Sequence, residues 1–179
     1  MASTCIVTDA LRGMFCDELY DGEGRLVWQS GWRNNTIVDD CRRLLAGFMH
    51  GTPVTVKGIQ GLRVGAGLAA WDNPPGPPKP GANQAALVQP FPDVVIPPDL
   101  AIDFLDPSTG TTTLLKTNRI QVVATLGPGV PSGPSPVTLR EFGLAAELDG
   151  TGVLINYVTH PAIVKDPTST LKRTIWLVF

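Results

Sequence analysis

Apolar and polar residues alternate along much of the chain, and this alternation predicts short antiparallel β-strands joined by tight turns. The side chains of Leu26, Trp28 and Trp32 fall on one face of an extended segment at a period of two. A glycine-containing turn at 22–24 precedes this segment. Residues 13–34 are therefore expected to form a β-hairpin.

Two further hairpins are predicted in the second half of the chain. One covers residues 99–127 with a turn at 107–110, and the other covers residues 137–164 with a turn at 149–152. Both turns are rich in Gly, Asp, Ser, Thr or Pro, which are the residues that tight turns favour. In the first of these hairpins one face carries Ile120, Val122, Ala124 and Leu126.

A helical period is found in residues 36–49, which predicts one amphipathic α-helix. Its apolar residues recur at a spacing near 3.6, and two acidic residues precede two basic ones on the opposite face, so that ion pairs three or four positions apart can form. The apolar stripe consists of Ile37, Val38, Cys41, Leu44, Leu45, Phe48 and Met49, and the charged face of Asp39, Asp40, Arg42 and Arg43. A helix of this kind must pack on another layer, and a β-sheet is the expected platform.

The ends of this helix carry recognisable signals. Thr36 with Asp39 is predicted to form a variant capping box at the N-terminus. Gly51 is expected to adopt the left-handed C-terminal cap, with Pro53 following it. His50 lies in the last turn, where the helix dipole favours a cation.

The remaining segments are shaped by glycine and proline. Residues 54–66 predict one or two short strands, and residues 85–98, which proline interrupts, predict an edge strand at best. Residues 67–84 are expected to be a long extended loop, because five prolines lie between positions 73 and 81. Such a loop is either a mobile arm or a segment held by a neighbouring chain, and Trp71 in it is exposed unless something covers it.

The chain ends in a predicted strand with apolar residues on both faces. Ile175, Leu177 and Phe179 lie on one face, and Trp176 and Val178 lie on the other. A strand of this type is expected to be covered on both sides.

Together these elements predict a mainly β (α+β) fold. The expected architecture is an antiparallel β-sandwich of about eight strands with the amphipathic helix packed on it. It forms a single domain over residues 1–179, with the Pro-rich loop at 67–84 extending from it.

Composition excludes several classes of protein. Hydrophobic residues make up 43% of the 179 positions, which is too many for a chain that is disordered throughout, and no apolar run is long enough for a membrane-spanning helix. The net charge is −2, and the basic pairs Arg42–Arg43 and Lys172–Arg173 are isolated, so neither nucleic acid nor membrane insertion is expected. Only 17% of residues are charged, which favours a surface partly covered by neighbours.

The N-terminal sequence lacks the pattern of a signal peptide. Its first positive charge is Arg12, and no continuous apolar segment follows. The protein is therefore expected to be made in the cytoplasm, and to leave the cell, if it does, as part of a larger object.

Neither a metal, a cofactor nor an enzymatic reaction is expected from the reactive residues. Cys5, Cys16 and Cys41 lack a metal-binding spacing and are interpreted as small buried hydrophobes. His50 and His160 show no nucleophile–base or metal-binding pattern.

Glycines and acidic residues give no stronger signal for a site. The sequence Gly65-Ala66-Gly67 lacks the third glycine of a dinucleotide-binding loop and is interpreted as a strand that ends in a tight turn. Glu141 and Glu147 lie on one predicted strand without any sign of a cleft. Asp103 and Asp106 are interpreted as turn formers.

The tryptophans leave an alternative open. Aromatic rings of this size can stack on sugars, but they also anchor cores and subunit interfaces. The four residues concerned are Trp28, Trp32, Trp71 and Trp176.

Three stretches of the sequence are similar to small structural proteins of phage tails and phage-tail-like particles, including particles of the contractile injection type. They are NNTIVDDCRRLLAGFMHG, GIQGLRVGAG and the C-terminal segment that begins LREFGLAAELDG and ends TIWLVF. Those families often have an acidic or threonine-rich segment after the second stretch, where this chain has WDNPPGPPKPG.

The resemblance implies a non-enzymatic building block of a virion or extracellular particle, such as a tail, baseplate, collar, cap or capsid-decoration protein. Its partners would be copies of itself and other particle subunits. Two segments are the candidate assembly contacts: the loop 71–80 as an interlocking arm, and the final strand 173–179 as a core or inter-subunit strand. The residues selected in them are Trp71, Pro74, Pro75, Pro77, Pro78, Trp176 and Phe179. The alternatives are a carbohydrate-binding or adhesin β-sandwich module and a small hydrolase of unspecified substrate.

Overall fold

A computed structural model describes residues 11–51, 55–133 and 135–179, and in this part of the chain the fold is mainly β. It contains one α-helix, one short 3₁₀ turn at Ala69–Asp72 and twelve strands. The helix is α1 (Asp39–His50). The strands are β1 (Arg12–Tyr20), β2 (Leu26–Gln29), β3 (Arg33–Ile37), β4 (Val56–Gly65), β5 (Pro90–Val95), β6 (Leu100–Leu105), β7 (Thr112–Thr113), β8 (Arg119–Leu126), β9 (Val137–Leu148), β10 (Thr151–Leu154), β11 (Asn156–Lys165) and β12 (Thr170–Val178).

The three predicted hairpins are all present. β1 pairs with β2, β6 pairs with both β7 and β8, and β9 pairs with both β10 and β11, in each case antiparallel. Local chemistry shapes the first turn, because the Asp21 carboxylate accepts hydrogen bonds from the backbone N–H groups of Glu23 and Arg25, both at 2.9 Å. Gly24 follows with a φ of +78°, which a glycine adopts without steric cost.

All twelve strands belong to one continuous antiparallel sheet. The order is β5-β4-β9-β11-β3-β1-β12-β8-β6-β7, and β10 and β2 pair beside this path with β9 and β1. The prediction of an eight-strand sandwich was therefore wrong in the number of strands and in assuming two separate sheets. The physical reason is β3, which pairs with β11 on one side and β1 on the other and so joins the two halves.

The two halves of the sheet enclose a common core. The joint between them is short, since only Asn156 with Ile37 and Tyr157 with Thr36 form pairs there. Across the core, Phe15 of β1 meets Phe142 of β9 edge to face, with ring centroids 5.1 Å apart. The fully buried aliphatic side chains come from both halves and include Leu62, Val122, Leu126, Leu139, Leu144, Leu171 and Ile175.

Helix α1 begins three residues later than predicted. Thr36 and Ile37 pair with β11 as part of a strand, because a ladder with a partner strand satisfies their backbone groups. The N-cap is Val38, and no side chain caps the first turn, so the predicted Thr36–Asp39 capping box was wrong.

The predicted charge pairs and C-terminal cap of α1 are confirmed. Arg42 lies 3.3 Å from Asp39, and Arg43 lies 3.1 Å from Asp40, each three positions apart. Gly51 ends the helix in the left-handed conformation at φ 72° and ψ 7°, with its N–H donating to the Gly47 carbonyl. Pro53, expected to follow this cap, lies outside the described residues.

The predicted edge strand agrees with the sheet order, whereas the last strand, expected to be covered on both faces, is buried on one face and half-buried on the other. β5 is the first strand of the order, and Pro90 and Pro92 remove two backbone donors from it. β12 is paired along its length with β1 on one side and β8 on the other. Its inward residues Ile175 and Leu177 are buried in the core.

The segment 67–84 folds back onto its own chain. Trp71 is buried and packs against Gly67, and the Asp72 carboxylate pairs with the Arg140 guanidinium at 2.6 and 2.8 Å. Farther along, the Thr159 hydroxyl donates to the Pro78 carbonyl at 2.6 Å. Trp71 is thus covered by its own chain.

Replacing Gly67 with alanine is expected to destabilise the protein by roughly 2–5 kcal/mol. Gly67 has a φ of +57°, and an added Cβ would lie 2.5 Å from the Trp71 ring. Gly24→Ala is the matched control: Gly24 also has a positive φ but has nothing within 4 Å, so only the backbone strain of roughly 1–2 kcal/mol is expected. Urea unfolding of both variants gives the comparison, and equal losses would contradict the proposed packing of Trp71.

Candidate functional site

A large apolar groove lies between α1 and the sheet. Its volume is about 410 Å³, and it is named the α1 groove here. Cys41 and Leu44 form its buried floor on the helix side. Its remaining walls come from Leu45 and Phe48 of α1, Val56, Gly58 and Ile59 of β4, Ile102 of β6, Ile120 of β8, Ile155, and Leu177 and Phe179 at the chain end.

The sheet covers only the first half of the apolar stripe of α1. Cys41 and Leu44 are 3% and 6% exposed, whereas Phe48 and Met49 are 72% and 81% exposed. Across the groove, Ile102 and Phe179 are also exposed. The predicted stripe is therefore correct in register, but its C-terminal half has no covering layer among the described residues.

Phe179 is the predicted assembly residue that reaches this groove. Its backbone N–H donates to the Asn118 carbonyl, and its own carbonyl accepts from the Asn118 side chain, both at 2.9 Å. These bonds fix the chain end beside β8 while the phenyl ring stays exposed. Because the backbone of β12 is already paired on both sides, this strand can contact another molecule only through its side chains.

The prolines selected in the loop lie at the surface. Pro74, Pro75 and Pro78 are exposed, and Pro77 is half-buried. The same loop is held to α1 as well, since the Asp39 N–H donates to the Ala82 carbonyl at 2.8 Å. The loop is therefore tied to its own chain at both ends, with its proline side chains turned to the outside.

The four tryptophans do not form one platform. Trp32 and Trp176 are in contact at 4.5 Å between ring centroids, with their ring planes tilted by 45°, and the Trp176 indole N–H donates to the Gln121 side chain at 3.0 Å. Trp71 is buried under the proline loop, and Trp28 lines a separate recess beside β11. Only Trp32 and Trp176 are therefore placed to act together.

A buried ion pair sits at the centre of the molecule. The Arg173 guanidinium donates to both carboxylate oxygens of Asp17, at 2.6 and 2.8 Å, and both side chains are almost inaccessible to solvent. The same guanidinium lies 3.7 Å over the Phe142 ring and donates to His160 Nε2 at 3.2 Å. Because a guanidinium can only donate, His160 Nε2 accepts, and Nδ1–H donates to the Pro161 carbonyl at 2.8 Å.

This environment keeps His160 neutral. Burial away from water and the positive charge of Arg173 lower the pKa of His160 to about 4. Both ring nitrogens of His160 and both carboxylate oxygens of Asp17 are bonded within the chain. The cluster therefore acts as a structural element of the core, and it offers an entering substrate neither a free base nor a free nucleophile.

Glu141 is a buried acidic residue whose role the sequence did not indicate. Its carboxylate accepts from the backbone N–H groups of Val88 and Gln89, at 2.9 and 2.7 Å, and from the Tyr157 hydroxyl at 2.5 Å. Burial and the adjacent carboxylate raise the pKa of Tyr157, so that it remains a donor. Glu141 thus fastens the segment before β5 to β9, and Glu147, on the same strand, pairs with Lys57 at 2.8 Å.

The other reactive residues have ordinary structural placements. Cys16 and Cys41 are buried free thiols, and Cys5 lies outside the described residues. In the described ranges no group of three or more His, Cys, Asp or Glu side chains is placed to hold a metal ion. Within the same ranges no helix is long and apolar enough to cross a membrane.

Substituting Asp17 with asparagine is expected to destabilise the fold by about 3–5 kcal/mol, because Arg173 is left buried without a counter-charge. Glu18→Gln is the control, since Glu18 is partly exposed and lies 3.9 Å from Lys172 in a solvated pair. Its loss is expected to stay below about 1 kcal/mol. Chemical unfolding measures both, and a small loss for Asp17→Asn would contradict the central role of the ion pair.

Stability is expected to fall by about 2 kcal/mol between pH 6.5 and pH 5 because of His160. Its pKa is about 4 in the folded protein and 6.5 when unperturbed. In this interval His160 is therefore protonated in the unfolded chain but stays neutral in the folded chain, and lowering the pH favours unfolding. His160→Gln should flatten this slope, although it lowers stability at every pH. Thermal melting of the wild-type protein and of this variant across the interval measures both slopes. An unchanged slope in His160→Gln would show that another group is responsible.

No protein-family model, no curated protein and no solved structure matches the chain. Its function is therefore inferred from its own surfaces and buried clusters.

Proposed function

We propose that this protein is a structural subunit of a multi-copy particle of the phage-tail or phage-tail-like kind, and that copies of it join through the α1 groove. The observation that carries the proposal is the uncovered half of the α1 stripe beside that groove. Contiguous exposed apolar surface of this kind is typical of protein–protein contact sites. The resemblance of residues 34–51 and 139–179 to phage-tail structural proteins supports the same class.

The energetics favour association. Phe48 and Met49 expose most of their apolar side chains to solvent. Burying a large apolar side chain stabilises a complex by roughly 1.5–3 kcal/mol. Of the described residues that line the α1 groove, none is charged, so an apolar partner enters it without desolvating an ion.

A second copy of the chain is the partner that fits this groove. The projecting ring of Phe48 and the recess lie side by side on one surface. A two-fold contact can therefore place the Phe48 ring of each copy in the groove of the other, as isologous interfaces require. The same surface can also join successive subunits around a ring. The number of copies per assembly distinguishes the two cases, because a two-fold contact gives a dimer and a ring contains more copies.

The sheet edges favour contact through side chains over strand addition. At one edge β5 lacks two backbone donors because of Pro90 and Pro92, and at the other edge β7 is only two residues long. The exposed Pro74, Pro75 and Pro78 remain available to a neighbour as a second, lateral contact. The assembly role proposed for the loop thus becomes that of a rigid outer surface rather than of a free arm.

Phe48→Ser combined with Met49→Ser is expected to convert an oligomer into monomers, weakening self-association about tenfold or more. Light scattering coupled to size-exclusion chromatography measures the effect, and electron microscopy shows whether the wild-type protein forms rings or tubes. Both side chains are exposed, so the fold should be retained.

Leu26→Ser is the matched control for this double variant. Leu26 is 50% exposed and pairs with Tyr20 at one end of β1. The α1 groove lies near the other end of β1, where Arg12 pairs with Val178. Its self-association should equal that of the wild-type protein. A wild-type protein that stays monomeric at high concentration, or a double variant that assembles normally, would rule out the proposed contact.

A further inference from the structure

We infer that a second surface, on the outer face of the sheet, binds a carboxylate-bearing saccharide. The surface is a groove of about 540 Å³ that crosses β1, β3, β8 and β12, and it is named the arginine groove here. Its volume suits one or two sugar rings, because small-ligand sites usually occupy 300–1,000 Å³. The inference goes beyond the proposed assembly function and does not depend on it.

Residues on four neighbouring strands build this groove in register. Met14 of β1 lies opposite Asn34 of β3 on one side and Trp176 of β12 on the other. Two residues after Trp176 on β12, Val178 lies between Arg12 of β1 and Arg119 of β8. Since alternate residues of a strand share a face, these side chains form one outer surface.

An aromatic ring lines this surface and is held in a fixed orientation. Trp176 is packed against Trp32 at 4.5 Å, and its indole N–H is bonded to Gln121 at 3.0 Å. A preorganised aromatic face loses little entropy when a flat apolar face of a ligand stacks on it. The apolar C–H face of a pyranose ring has this shape.

The polar residues of the groove match the remaining groups of an acidic sugar. Asn34 is exposed, and its amide can donate to one hydroxyl and accept from another. Arg119 brings a positive charge to the groove, and no acidic residue is among the described residues that line it. Arginine is the side chain best suited to a carboxylate, whose two oxygens match its parallel N–H groups.

Arg119 is positioned for this role by the chain around it. Its Nη1 donates to the Pro107 carbonyl at 3.0 Å, which fixes the guanidinium at the end of β8. Two arginines are too few to hold an extended phosphate backbone, which argues for a small anionic ligand over nucleic acid. Four strands carry the groove, so it is rigid before any ligand arrives.

Titration with 3′-sialyllactose and with tetragalacturonate tests the inference, each paired with a neutral counterpart, lactose and the methyl ester of tetragalacturonate. Tryptophan fluorescence and calorimetry are the measurements. At least one acidic saccharide should bind, and its neutral counterpart should bind at least about tenfold more weakly, because a charged hydrogen-bonded pair is lost.

Two variants locate the binding. Arg119→Gln should weaken it about tenfold or more, and Asn34→Ala about three- to tenfold. The control is Arg63→Gln, which makes the same change of charge at an exposed position on β4 and should leave binding unchanged. Circular dichroism checks the fold, and Asn34→Ala carries the test if Arg119→Gln fails to fold.

Several results would overturn the inference. These are no binding of either acidic saccharide, equal binding of acidic and neutral forms, and binding that neither groove variant weakens. Tighter binding of a single-stranded oligonucleotide at the same residues would also overturn it, in favour of a nucleic-acid site.

Discussion

The fold depends on one buried guanidinium. Arg173 belongs to β12 and pairs with Asp17 on the neighbouring β1, yet its flat face lies on Phe142 of β9 and its edge reaches His160 of β11. It therefore contacts both halves of a sheet whose direct joint is only two residue pairs long. Asp17 supplies the counter-charge that a guanidinium buried this deeply requires, and the contacts of the guanidinium with Phe142 and His160 constrain how the two halves face each other.

The buried polar side chains named above stabilise the fold. Asp17, Arg173 and His160 hold the centre, while Glu141 and Tyr157 fasten the segment that leads into the edge strand. With these groups bonded internally, what the molecule presents outward is an apolar groove on one side and an aromatic, cationic groove on another. That division suits a protein that acts by contact. The outer surfaces carry the proposed functions, and the core serves to keep them rigid.

Sequence patterns that depend on near neighbours predicted the structure well. The hairpin turns, the charge pairs of α1 and the left-handed cap at Gly51 are set by residues within a few positions of each other. Prediction was less accurate at 33–37, where a local helical signal overlaps a strand. The strand prevails there because β3 is paired with β11 on one side and with β1 on the other.

The sequence by itself determined that this chain is mainly β, with hairpins, one amphipathic helix and a proline-rich loop, since periodicity and turn chemistry are local properties. Only the tertiary structure decided that β3 merges the strands into one sheet, that Trp71 is covered by its own chain and that Phe48 is not. Asp17 and Arg173 are 156 positions apart in the chain, and in the sequence they are indistinguishable from surface charges. Burial and pairing at such separations arise from the packing of distant strands, which no local pattern records.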